Sequence, residues 1–545
     1  NGGGGRRREL LEDARIGGIV QVIMLPGTYK GFDVCNVTVV ASEKGAQGVS
    51  RINIGTTRGE TETVVDCERT GRFLTLQGSQ LHGIVVEIMG LTVKMGAGSG
   101  VGGSLLHIVS DSSLSSGADL QGPAAQTHFI GSSMTITNSV GSQGIFASGA
   151  YTTLDISNSK IQEHSSGAIL VEKGAYFTAN SVSFKSNVAE HGSCLYVSGE
   201  NTHVNLSDVF AESVQAVADN RPEGYRATGG FMSVERYARV RLTKARIHDA
   251  SCPGGVGGVI SARGSSFINI TDLVTFRSDA DIGGGVVFAE DEGTLVLAQN
   301  LTVMSSRSVR GGVVAASNGS RVEVYGAKNY AEHISADLYG GYAFADYGAA
   351  VEIAGLRLNG TTAGKGGGIA WAGGGSMVTI SNSQAERIRA GHSGGAFYIE
   401  GLKDTGSWTG TNRTWLHVES SRFDDLKAGY MGGGLYIAAG GTVTMHGSVF
   451  TELRLDCGNH FAAGSSTQSK TSREGLNIIS ATDLASISGS NTEGIATVPK
   501  GMETMILNPD WCAGAGVFLE AESELLGENT DGSGSTPSNL FVNLK

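Results

Sequence analysis

The sequence predicts an all-β fold, a parallel β-helix solenoid, on the strength of one glycine-led phrase, a constant beat and strand-type alternation. From Gly230 to Gly434 a glycine pair followed by four or five apolar residues recurs. The second glycines are Gly230, Gly258, Gly285, Gly312, Gly341, Gly368, Gly395 and Gly434, spaced 28, 27, 27, 29, 27, 27 and 39 residues apart. A fixed period of this size marks a solenoid. Within each repeat a short strand follows the pair, a turn comes next, and a second strand alternates strictly: Val322-Glu323-Val324, Val351-Glu352-Ile353, Val378-Thr379-Ile380, Leu416-His417-Val418 and Val443-Thr444-Met445. Period two places the apolar members inward, and helical periodicity is absent. A 27-residue unit supplies three short strands and three bends, one rung of a β-helix with rungs ~4.8 Å apart. Leucine-rich repeats of similar length would carry fixed Leu and Asn positions, and none appear.

The beat continues less regularly toward the N-terminus through Gly192, Gly167 and Gly144. Ahead of it, Glu9 to Arg15 reads as one or two helical turns, and Leu25-Pro-Gly-Thr-Tyr29 follows a first strand from Gly18 to Leu25. A helix there would cover the open edge of the first rung. These features resemble the opening of right-handed β-helix proteins of the pectate-lyase superfamily. Phe184-Lys-Ser-Asn187 before Gly192-Ser-Cys-Leu-Tyr196, and Phe276-Arg-Ser-Asp279 before Gly284-Gly-Val-Val287, are similar to the FxxN and GGAI motifs of the polymorphic outer-membrane protein repeat. The resemblances imply a right-handed parallel β-helix, and secreted or surface-displayed adhesive and structural roles. The expected organisation is an N-terminal cap over 1–18, a solenoid over 19–545 of roughly 17 rungs and on the order of 80 Å, and one long loop excursion over 456–511. The repeat phrase resumes after that excursion at Gly514-Ala-Gly-Val-Phe-Leu519.

Composition narrows the setting. With 83 Gly and only 7 Pro, the glycines mark bends and close packing rather than a disordered Pro/Gly mixture. A formal net charge of -12 argues against nucleic acid or an anionic membrane as partner, and no run of 18 apolar residues offers a membrane-spanning helix. The chain starts at Asn1 without Met, which fits removal of a signal peptide or a piece of something longer. Six cysteines are too few for a disulfide scaffold and lack CxxC spacing for zinc. Cys457 and Cys512 flank the excursion, so a bond between them would close it and contribute roughly 4 kcal/mol; two buried free thiols are the alternative. Cys35 and Cys67 lie about one rung apart and form a second candidate pair. Seven sequons, at Asn36, Asn205, Asn269, Asn300, Asn318, Asn359 and Asn412, exceed the about four that chance provides in so polar a chain.

Catalytic chemistry is sparse. Asn529-Thr-Asp-Gly532 spells the NTDG of polygalacturonase-like enzymes but stands too near Lys545 for the motifs that follow it there, and it reads as a turn. Asp424-Asp425 reads as a solvated bend. Asp279 with Asp281, and Glu290 with Asp291 and Glu292, offer too few oxygens for calcium, and His191, His392, His446 and His460 lack ligand spacing. No catalytic residue, metal or cofactor is assigned. The strand after each glycine pair is apolar on both faces, and one face must look outward. Its ladder includes Phe288, Tyr342, Phe344, Trp371 and Tyr398, larger than the apolar patches monomers usually expose. Three readings follow: lateral packing on another copy or a filament partner, coverage by the chain itself, or sugar stacking on Trp371 and Tyr398. The sequence reading is therefore a non-enzymatic extracellular structural or adhesive rod assembling laterally or end to end in a surface fibre, appendage or cell-wall layer. The alternative is a carbohydrate-active enzyme or glycan-binding β-helix.

Overall fold

A computed structural model describes residues 19–455 apart from 32–33, 41–50, 58–59, 61, 79–82, 99–102, 111–125, 219–225, 402–412 and 439, together with the backbone of four strands beyond 455. The expected N-terminal helix within 1–18, the Cys457–Cys512 pair, Asn412, His460 and Asn529–Gly532 lie outside the described residues. The chain divides into two units, Asn1–Val274 and Thr275–Lys545. Each is an all-β parallel solenoid, and no helix occurs among the described residues.

In the first unit, eight short strands stack in parallel: Val37–Val40, Leu74–Gly78, Leu106–Ser110, Ile145–Ser148, Ile169–Glu172, Leu195–Ser198, Met232–Glu235 and Ile260–Ala262. The remaining sides of these rungs are not always the separate short strands that the repeat suggests. In Thr152–Gln162, Tyr176–Lys185, His203–Ala216 and Arg239–Cys252 they run as single bent strands. The bends are single left-handed residues: Asp208 and Ser213 have φ of 52° and 54°, and Lys244 and Asp249 repeat them one rung on at 54° and 53°. Each such residue inserts one extra position into the alternation, so Val204 and Leu206 point inward, then Val209 and Ala211, then Val214 and Ala216. A left-handed non-glycine costs energy in isolation. Here the ladder hydrogen bonds on both sides hold it in place.

Cys35 and Cys67 form a disulfide across a separation of 32 residues, which the chain-entropy relation values at about 4 kcal/mol. Cys194 and Cys252 are buried and outside any disulfide, and burial pushes the Cys194 thiol up to about 12.

In the second unit the short strands Val287–Glu290, Val314–Ser317, Ala343–Ala345, Ala370–Ala372, Phe397–Ile399 and Leu435–Ile437 stack in register. The alternating strands pack Val322, Val324, Val351, Ile353, Val378, Ile380, Leu416, Val418, Val443 and Met445 into the core, none more than 3 % exposed. At the corner after them, buried side chains satisfy the backbone of the preceding rung: Asn329 Oδ1 accepts from Leu301 N–H at 2.9 Å, Ser383 Oγ from Leu356 N–H at 3.1 Å, and Ser421 Oγ from Ser383 N–H at 3.1 Å. Val517–Leu519 then pairs in parallel with Leu435–Ile437, and Gly494–Thr497 runs antiparallel to Glu524–Gly527.

The glycine pair has a double cause. Gly340 has φ +65°, and a Cβ there would lie 2.0 Å from the Ala343 carbonyl oxygen; a Cβ on Gly341 would lie 2.1 Å from the carbonyl oxygen of Gly368, its counterpart one rung on. The first glycine turns the chain, and the second lets adjacent rungs touch through their backbones. Gly341→Ala forces a rung apart and should cost about 1–3 kcal/mol from overpacking. Gly348→Ala, at φ +72° with nothing within 4 Å, should cost only the left-handed penalty of about 1 kcal/mol. Thermal melting of both variants checks the order.

Two histidines of the first unit predict acid sensitivity. His164 is buried, its Nδ1 against Ser139 Oγ and its Nε2 3.2 Å from the Ile136 carbonyl, and burial lowers it to about 4. His107, stacked on Phe146 at 5.0 Å, is also lowered to about 4, by burial and then by Arg72. Both stay neutral in the folded chain while the unfolded chain takes up protons below about pH 6.5. Stability is therefore unaffected above that pH and falls progressively as pH drops from 6.5 to 4. His164 alone accounts for roughly 3 kcal/mol over this window, and urea midpoints at pH 7 and pH 4.5 should differ accordingly.

Candidate functional site

The outward face of the short strands in the second unit is the site to which the sequence points. Alternation sends Ala345, Ala372, Phe397, Ile399, Leu435 and Ile437 into the core, all at 0 % exposure. Opposite them Phe288, Ala315, Phe344, Trp371, Tyr398 and Tyr436 form one outward column in continuous register. A rung spacing near 4.8 Å is also close to the stacking distance of aromatic rings. Phe344 and Trp371 accordingly stack at 4.5 Å and 7°, and Tyr398 and Tyr436 at 4.6 Å and 25°.

The structure revises two ladder assignments. Tyr342 is not in the column: it sits in the bend before Ala343–Ala345, 1 % exposed, and burial holds its phenol well above the ordinary range. Tyr436 belongs to the column and Leu435 and Ile437 face the core, because Gly432 and Gly433, rather than Gly434, occupy the places of the repeat pair: Gly395 faces Gly433, and Tyr398 pairs with Tyr436.

Outward here does not mean exposed. Phe288, Phe344, Trp371 and Tyr436 retain 7, 5, 7 and 4 % of their surface, and Tyr398 alone is half-buried. The cover comes from the neighbouring corner of the same unit. The Tyr339 ring lies 5.6 Å from Trp371 and 6.1 Å from Tyr398, the Arg310 guanidinium stands 5.6 Å over Phe344, and Lys365 Nζ stands 5.7 Å over Tyr339. Met431 and Tyr398 pack against Tyr436 and Ala438. Glycines make the seats: a Cβ on Gly366 would lie 2.6 Å from the Tyr398 ring, and one on Gly373 2.1 Å from Trp371. Trp371 Nε1 is buried without an acceptor. Asp346, next to this surface, has its carboxyl raised by burial, with the Tyr347 N–H and Arg310 opposing.

The other residues singled out in the sequence are scattered. Asn36 and Asn318 are exposed, while Asn205, Asn269, Asn300 and Asn359 are half-buried on outward positions. Asn318 Nδ2 donates to Glu290 Oε1 at 3.2 Å, and Asn359 Oδ1 accepts from Arg387 Nε at 2.8 Å. Asp424 pairs with Arg422 at 2.7 Å, and Asp425 is a left-handed corner. Asp279 is raised by burial and by Asp281, with Arg307 opposing. His392 Nδ1 lies 2.7 Å from Ser393 Oγ, and its ring stacks on Tyr430. Among the described residues no group of three or more His, Cys, Asp or Glu is placed to hold a metal.

A polar cluster in the first unit escaped the sequence reading. Glu235, 4 % exposed, accepts from Arg263 and from Tyr196 OH at 3.1 Å. Ser233 lies 3.4 Å from it and 2.9 Å from Thr228, which meets His191 Nδ1 at 2.8 Å. Burial and then Glu235 push the Tyr196 phenol up to about 12. No local signal marks it: the Glu235 position carries Ser198 and Glu172 on the preceding rungs, and the partners come from different rungs.

Phe344→Ala and Trp371→Ala should each lower stability by about 3–5 kcal/mol, as buried aromatic truncations do. Tyr398→Ala should cost distinctly less. Denaturant titrations of the three variants measure the ranking.

No protein-family model and no curated protein matches the chain. Among solved structures it is similar to AlyGC, an alginate lyase of the PL6 family, at 8 % identity and a TM-score of 0.17, over 81 % of this chain and 96 % of that one.

Proposed function

We propose that this chain is a non-enzymatic structural or adhesive β-solenoid of an extracellular or cell-surface assembly. The observation that carries the reading is the sealed aromatic column. Its rings are engaged with one another and with Tyr339 and Arg310, so they stiffen stacked rungs where a binding cleft would leave them open. The glycine contacts and corner hydrogen bonds act in the same sense, each tying a rung to its neighbour. The Cys35–Cys67 disulfide supports an oxidising compartment, and the outward placement of six sequon asparagines supports glycosylation at those positions.

A glycan-binding reading draws on Tyr398, half-buried beside Tyr339, and on the unpaired Trp371 Nε1 donor. The two readings separate on a panel of neutral and acidic polysaccharides. The structural reading expects neither release of reducing or unsaturated ends nor binding that Tyr398→Ala abolishes. Cleavage of any member would overturn it. For the secreted protein, glycosidase treatment should lower the intact mass by whole glycans.

A further inference from the structure

In the first unit the rung of Glu235 continues into a run of charge that the repeat does not require. Arg236, Arg239, Arg241, Lys244 and Arg246 follow one another with no carboxylate between them, in a chain of net charge -12. Alternation along Arg239–Cys252 buries Val240, Leu242, Ala245 and Ile247 and turns Arg239, Arg241 and Arg246 outward. Arg236 and Lys244 stand at left-handed corners. All five cations are exposed, and none makes an ion pair among the described residues. Carboxylates gather at the bends: Asp208 and Asp272 are the left-handed corners of the strands before and after Lys244, and Glu200 precedes the corner of Arg236 by one rung. Beyond the bend, Glu212 is held by Lys185 at 3.0 Å, and Asp249 is the next corner. The flat side before the bend is different. Its stretches 176–180, 203–207, 239–243 and 267–271 contain no carboxylate. On that side Asp155 lies three strands before Arg241, already against His128 at 2.6 Å. Arg239 and Arg241 are therefore uncompensated.

Two residues apart on one strand, the guanidiniums of Arg239 and Arg241 project from the same face about 7 Å from each other. Such forks match the oxygens of sulfate or carboxylate groups. Beside them in register stand Asn205 and Ser207, next to Arg241 and Thr243, which offer amide and hydroxyl groups. Tyr176, in the column of Arg239, and Phe210, in register with Arg246, keep 40 and 38 % of their surface, and exposed rings suit the apolar faces of sugars. We propose that this side of the first unit binds an acidic polysaccharide, with Arg239 and Arg241 on its anionic groups and Asn205, Ser207 and Thr243 on its hydroxyls. The basic run is confined to one rung of an acidic chain, which suits a slender single-chain glycan better than the broad phosphate surface of a duplex nucleic acid. The inference gives the adhesive role proposed above a partner class and rests on that reading. Asn205 is also a sequon residue, so a glycan attached there would stand beside Arg241 and compete for the site.

Surface plasmon resonance on the full chain, produced without N-glycosylation, tests it with heparin as the sulfated probe, polygalacturonate as the carboxylated one and dextran as the neutral one. Heparin or polygalacturonate is expected to bind at low salt, the tighter of the two identifying the preferred anionic group, with Kd rising at least about tenfold between roughly 50 and 500 mM NaCl. Arg239→Glu with Arg241→Glu should weaken binding at least about tenfold while melting like the parent. Arg357→Glu with Arg389→Glu, the same change of charge at exposed positions of the second unit, should leave it within about twofold. Absence of binding to both acidic probes, equal binding of dextran, an equal loss in the second-unit pair, or tighter binding of a DNA duplex would each overturn the site. Release of unsaturated or reducing ends from a bound probe would instead overturn the non-enzymatic reading and leave the site standing, so the two failures are distinguishable.

Discussion

Backbone-to-backbone contact between successive rungs is the constraint on which the rest of this protein depends. Gly341 meets Gly368, and Gly368 in turn meets Gly395, each with no room for a Cβ. With the rungs set at one ladder spacing, every other position is copied along the stack: a core residue lies over a core residue, a left-handed corner over a left-handed corner. Parallel ladders usually need cover on both faces. In this chain the inner face is closed by the other sides of the rung, and part of the outer face by residues from the adjoining corner.

That copying explains the aromatic column. Rings placed at one position of successive rungs arrive at stacking distance without further adjustment, and the corner contributes Tyr339, Arg310 and Lys365 at heights suited to cover them. The glycines at Gly366 and Gly373 serve a different purpose from the repeat pair, since they remove side chains where a ring must lie on backbone. A large apolar set on an outward strand face therefore becomes a second, external core.

Charge is copied in the same way, with a different consequence. In water an exposed ion pair contributes little to stability, so columns such as Arg307 to Arg454 are free to vary along the stack. Stacking sets such variation in one line along a side, as in Arg307, Ser335, Thr362, Arg389, Lys427 and Arg454.

The solenoid, its beat, the role of the glycine pair and the inward members of the alternating strands were legible in the sequence, because each follows from local rules of period two and left-handed turns. Position in the aromatic column was legible only while the beat held. The run Gly432-Gly433-Gly434 hid which two glycines form the repeat pair, so a count from Gly434 misses Tyr436 by one residue, and Tyr342 was misplaced because a residue in a bend does not obey strand parity. Nothing local marks the cover on Trp371, the cluster around Glu235 or the gathering of Asp279, Asp281 and Asp337 at Arg307, since their members are brought together from different rungs. Sequence alone determined the repeating unit, which is set by neighbouring residues. Only the tertiary structure decided what is covered and what is charged along each side, because those properties belong to columns that run perpendicular to the chain.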